Sequence, residues 1–117
     1  MKQYTSKDQT AKLIELGFPK PKFSFPIEDN EHPDYVDEDG NSYSLVESYS
    51  IGELIEFLPL ELELEPDPDM ARRTIVGNEV LYCDEYIDWV DLRFNKYKEI
   101  IDNLFDACVT LKEEGVI

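Results

Sequence analysis

Apolar residues recur at helical spacing in three places along this chain, and at strand spacing between them. The first helical pattern is Leu13, Ile14 and Leu16, with Ala11 as a strong helix former. Ser6 and Gln9 make a capping box before it, Gly17 suits a left-handed stop, and Phe18 is placed to fold back onto Leu13. Together these predict a helix over 6–16, closed by Pro19. A second short helix follows from the box of Ser50 and Glu53, with Tyr49 and Leu54 as a hydrophobic staple and Leu58–Pro59 as its end. The third pattern is the widest: Tyr97, Ile100, Ile101, Leu104, Phe105, Cys108 and Leu111. Asn95 reads as its N-cap and Gly115 as its stop, so a helix of about 19 residues, roughly 28 Å long, is expected.

Between the helices the period falls to two. Residues 19–27 hold three prolines with alternating Phe23, Phe25 and Ile27, which predicts an edge strand. Asp39-Gly40 reads as a two-residue hairpin turn between Tyr35–Val36 and a return strand bearing Tyr43 and Leu45. The run LELELE at 60–65 alternates strictly, and PDPD at 66–69 is a loop. A second hairpin is expected over 73–83, turning at Gly77-Asn78, and 84–94 reads as a strand. The expected fold is therefore α+β within one domain, 1–117: three helices, the long C-terminal one packed on a small, mostly antiparallel sheet.

Charge sharpens the picture. The 117 residues carry 27 acids and 11 Lys or Arg, a net charge of −16. Residues 28–91 hold twenty of those acids against only Arg72 and Arg73. Such a field repels nucleic acid phosphates and anionic membrane surfaces and favours basic partners. No apolar run approaches the ~20 residues that span a bilayer, and the N-terminus lacks the apolar core of a signal peptide. Cys83 and Cys108 have no second ligand at metal spacing and read as buried free thiols, so a cytoplasmic location is expected.

Reactive constellations are scarce. His32 is the one histidine, set between Glu31 and Pro33 in an acidic loop, and no phosphate-cradling glycine motif accompanies it. Asp37-Glu38-Asp39-Gly40-Asn41 has a calcium-loop flavour, but aligning Gly40 puts Tyr35 and Val46 at ligand positions, so a hairpin turn is expected instead. Neither a cofactor nor a metal is implied. The row Glu61, Glu63, Glu65 admits two readings. It keeps an edge strand from pairing with another chain, or it imitates a phosphate backbone for a nucleic-acid-binding protein. Trp89, between Asp88 and Asp91, is core or an interface anchor. The residues expected to meet a partner are thus Asp37, Asp39, Glu61, Glu63, Glu65, Asp67, Asp69 and Trp89.

The blocks YTSKDQTAKLIELGF, YSIGELIEFLP and IIDNLFDACVTLKEEGVI, about 40% of the chain, resemble a family of small uncharacterised proteins from phages, prophages and mobile elements of gut anaerobes. The resemblance implies the helical scaffold and no catalytic residue. The expected function is a non-enzymatic protein-interaction module, directed at a protein partner and in one form blocking a basic or nucleic-acid-binding host factor. It would make no direct contact with nucleic acid or membrane. Alternatives are a structural or dimerising accessory protein, with a homodimer allowed, and a small carboxylate-based hydrolase.

Overall fold

A computed structural model of the chain describes residues 2–28, 30–63, 70–83 and 90–117. Its element order is α1 (Lys7–Glu15), β1 (Phe23–Glu28), β2 (Tyr35–Val36), β3 (Ser42–Ser48), α2 (Ile51–Phe57), β4 (Glu61–Glu63), β5 (Met70–Val76), β6 (Glu79–Cys83), β7 (Val90–Phe94) and α3 (Ile100–Glu113). The α+β expectation holds, with one change of architecture. The hairpins belong to two separate antiparallel sheets, β1-β3-β2 and β4-β5-β6-β7, rather than to one.

Local sequence rules account for the first two helices. Ser6 and Ser50 each accept from the backbone three residues on, and Gln9 and Glu53 reciprocate, so both capping boxes are complete. Helix α1 closes as a Schellman turn: Gly17 N–H donates to Ile14 O and Phe18 N–H to Leu13 O, with Gly17 at φ 96°. Leu13, Phe18, Tyr49 and Leu54 all enter the core.

Helix α3 departs from expectation at its start. It begins at Ile100 and runs 14 residues, about 21 Å. Its N-cap is Glu99, which makes no side-chain cap, and Asn95 instead donates to Glu79 Oε1 (3.1 Å). The cause is Asn103, fully buried inside the helix. Its Oδ1 accepts from Tyr97 N (2.9 Å), while its Nδ2 donates to Tyr97 O (2.9 Å) and Asn78 O (2.6 Å). Asn78 Nδ2 in turn donates to Tyr97 O and Lys98 O. These bonds hold residues 96–99 as an irregular link to the Gly77-Asn78 turn, and Tyr97 is left outside the apolar stripe.

The core lies between the helices and the four-stranded sheet. Ile101, Leu104, Ala107, Cys108 and Leu111 of α3 meet Val80 and Tyr82 of β6, Phe94 of β7, and Leu54 and Leu58 of α2. Both cysteines are buried free thiols, and burial pushes the Cys108 thiol up to about 12. Arg73 and Tyr82 pin the end of α2 to the sheet. One guanidinium nitrogen of Arg73 donates to Ile55 O (2.7 Å) and Leu58 O (2.8 Å), and Tyr82 OH donates to Pro59 O (2.7 Å).

The N-terminal segment is tied down by charge. Lys2 Nζ donates to Asp102 Oδ1 (2.7 Å) and Gln9 Oε1 (3.1 Å), and Gln9 Nε2 donates to Asp102 Oδ1 (2.8 Å). Burial alone would raise the Asp102 carboxyl, but the bonds from Lys2 and Gln9 outweigh it and hold the group below its ordinary value. A folded-state pKa below the unfolded one adds stability above the unfolded value, lost as pH falls through the folded one. Acid titration of Asp102→Asn should therefore show a shallower loss of stability below about pH 4 than the parent chain. An unchanged acid limb would show that the three-way contact is energetically idle.

Candidate protein-interaction surface

The three-stranded sheet β1-β3-β2 projects from this body as an arm. The molecule measures 56 × 27 × 20 Å, with a radius of gyration of 16.8 Å against about 13 Å for a compact chain of this size. Residues 30–36 and 38–41 are all exposed. Strand β3 is the arm's centre, flanked by β1 from Tyr43 to Ser48 and by β2 over two residues.

The pleat sorts the arm's side chains into two faces. Facing pairs Phe25↔Val46 and Phe23↔Ser48 share one of them. Tyr4 covers part of it, stacking on Phe25 with ring centroids 4.5 Å apart and donating its hydroxyl to Pro26 O. The other face carries the pairs Pro26↔Leu45, Glu28↔Tyr43 and Tyr35↔Tyr43. There Leu45 is 55% exposed and Tyr35 42% exposed, and the Tyr35 and Tyr43 rings lie 5.5 Å apart. Leu45 thus falls on the alternation expected for the return strand, but on the wet side.

Electrostatics give this face its character. Residues 23–48 contain eight acids and no Lys or Arg. Glu28, Glu38, Asp39 and Glu47 are exposed. The Tyr43 phenol registers the field: burial first, then the charges of Asp37 and Glu28, raise it above its ordinary value. The face thus joins exposed aromatic and aliphatic side chains to charge of one sign.

The eight sequence-predicted residues have different placements. Asp37 is engaged in the turn, where its Oδ1 accepts from Asp39 N (3.0 Å) and Asn41 N (2.8 Å) and its Oδ2 from Asn41 Nδ2 (3.3 Å). This knot also corrects the expected two-residue turn: Val36 pairs with Ser42 across five residues, with Gly40 at φ 84°. Asp39 stands exposed at the arm's tip. Glu61 lies 3.5 Å from Arg72 on the facing strand β5, an exposed pair of the kind worth about 0–1 kcal/mol. Glu63, on the same edge strand as Glu61, pairs in register with Met70 of β5, and Leu62 between the two glutamates is buried. The exposed Glu61 on this edge strand suits the edge-guarding reading. Glu65, Asp67, Asp69 and Trp89 lie outside the described residues.

Other chemistry is thinly represented. A groove of about 650 Å³ runs between the N-terminal segment and β1 and brings together Lys2, Lys7, Tyr4, Pro26 and Glu28, not convergent carboxylates. Among the described residues no group of three His, Cys, Asp or Glu is placed to hold a metal, and no helix is long and apolar enough to cross a membrane. Compared with protein-family models, curated proteins and solved structures, the chain matches none.

Sequence reasoning missed Pro26, Tyr35, Tyr43 and Leu45 as surface residues. A signal existed: counting charge over 28–91 hid the fact that the stretch 23–48 has no base at all.

Proposed function

We propose that this chain is a non-enzymatic protein-interaction module of phage or mobile-element type, whose β-arm engages a basic protein partner. The arm's combination of exposed apolar residues with eight acids and no base supports the reading. The apolar positions supply contact area, and the acids select a partner and speed encounter. A basic, nucleic-acid-binding factor has the matching chemistry, and its nucleic-acid surface would be masked by the arm. The resemblance carried by the three helical blocks supports the origin.

Charge-neutral variants test this. One carries Glu28→Gln, Glu38→Gln, Asp39→Asn and Glu47→Gln on the arm. The control carries Asp8→Asn, Glu15→Gln, Glu56→Gln and Glu114→Gln on the body, where all four are likewise exposed. The two variants have equal net charge. In pull-downs from bacterial lysate, the parent and the body variant should retain basic proteins at low salt, and the arm variant should lose them. Equal loss in both variants would reduce the effect to net charge. Homodimerisation by the parent, lost on Leu45→Asp, would favour the accessory-protein reading.

A further inference from the structure

The arm's backbone groups indicate how a partner would bind. Pro26 faces Leu45 and has no N–H, so these residues do not exchange hydrogen bonds across the β1–β3 pair. The backbone of Leu45 points the other way instead, its N–H donating to Asp34 Oδ2 (2.9 Å). In an antiparallel strand this alternation repeats every second residue, so Tyr43, Leu45, Glu47 and Tyr49 all address the same edge. Tyr43 O accepts there from Asp34 N (2.8 Å), and Tyr49 exchanges bonds with Thr5, whose N–H donates to Tyr49 O and whose hydroxyl accepts from Tyr49 N (both 3.0 Å).

Between those two closures lies a gap. Toward Leu45, strand β2 begins only at Tyr35, the preceding His32 and Asp34 meet β3 no further along than Ser44 and Leu45, and the N-terminal segment joins only at Thr5. The Leu45 carbonyl and both backbone groups of Glu47 face the gap with no partner among the described residues. The opposite edge of the sheet is guarded. On β1 the outward position at its centre is Pro26, which offers no donor and whose carbonyl already accepts from Tyr4.

A groove of about 380 Å³ lies along the open stretch, between β3 and α1. Lys7, Thr10, Ala11 and Ile14 form its helical wall, and Leu45, Val46 and Glu47 its strand wall. Ile14 is 39% exposed and Leu45 55% exposed, so each wall presents an apolar residue, with the exposed Lys7 and Glu47 as the groove's charged residues.

Resting on the interaction reading above, we infer that this groove receives a short extended segment of the basic partner, which adds a strand to β3 beside Leu45–Glu47. The partner's backbone completes the three open hydrogen-bonding groups. One apolar side chain lies between Ile14 and Leu45, and a Lys or Arg reaches Glu47. Strand addition of this type draws affinity from main-chain bonds and specificity from alternate side chains. A second copy of the chain is the poorer occupant, because it would bring two arms of eight acids each side by side.

The test uses the full ¹⁵N-labelled chain and two acetylated heptapeptides of alternating Lys with Val or Ile. They are identical except that one is N-methylated at its apolar residues, which removes backbone donors and leaves charge intact. The unmodified peptide should shift the amides of Ala11, Ile14, Leu45 and Glu47 and slow exchange of the Glu47 N–H. N-methylation should weaken binding about tenfold, as loss of one or two hydrogen bonds requires. Ile14→Ser should weaken it severalfold while leaving the circular dichroism spectrum unchanged. Equal binding by both peptides, shifts confined to 34–41, self-association through Leu45–Glu47, or no Glu47 shift at about 2 mM peptide would each overturn strand addition. Shifts confined to 34–41 would leave the interaction reading standing. Only a parallel failure of the arm variant to lose its partners would remove that as well.

Discussion

Asn103→Leu should destabilise the fold by about 2–4 kcal/mol and lower the melting temperature by roughly 10 °C. The substitution nearly conserves volume and adds apolar surface to a helix already facing the core. On hydrophobicity alone it would stabilise. Three hydrogen bonds argue otherwise, since Tyr97 N, Tyr97 O and Asn78 O lose the Asn103 amide, a partner held in a fully buried side chain. A buried polar group left without a partner costs about 1–3 kcal/mol, more than a well-packed methyl returns. Asn95→Ala, which the helical pattern marks as the more important site, should change stability by no more than about 0.5 kcal/mol, because Asn95 is exposed and bonds only to Glu79. Thermal denaturation of the two variants decides the matter. Equal effects would mean that Asn103 is not the node joining α3 to the β5–β6 turn.

Arg73→Met is expected to cost about 1.5–3 kcal/mol, and Arg72→Met about 0–1 kcal/mol. The two neighbours look alike in sequence as the sole bases between residues 28 and 91. Strand alternation separates them. Arg72 faces outward to an exposed pairing with Glu61, whereas Arg73 faces α2 and satisfies two carbonyls at its C-terminus. A seven-residue helix is too short to persist by itself in water, so its end contacts carry much of its stability. A positive charge beside those carbonyls also meets the negative end of the helix dipole. Urea denaturation midpoints should rank Arg73→Met well below Arg72→Met. Matched midpoints would remove Arg73 from the list of structural contacts.

Much of the scaffold was legible in the sequence because its signals are local. The boxes at Ser6 and Ser50 and the stop at Gly17 each involve a few adjacent residues, and each formed as read. The Gly77-Asn78 hairpin is of the same kind. The start of α3 was not legible, because Asn103 overrides the helical pattern through contacts 6 and 25 residues away. The division into two sheets was hidden for a similar reason. Alternation marks a strand but does not say which strand lies beside it. Leu45 shows the limit most plainly. An apolar residue at period two reads as buried, yet Leu45 stands more than half exposed. The open edge at Glu47 depends on where β2 begins, which a single-strand pattern cannot give.

The central claim is that recognition belongs to the arm of residues 23–48 and not to the acidic row that begins at Glu61. Hydrogen exchange of the complex with a captured basic partner tests it most directly. Protection gained on binding should concentrate in β3 and the facing turn of α1, with the Glu47 amide among the most affected, and should fade as salt is raised. Protection centred on Glu61–Glu63 with the arm unchanged would contradict the claim and return the binding surface to the edge of the four-stranded sheet.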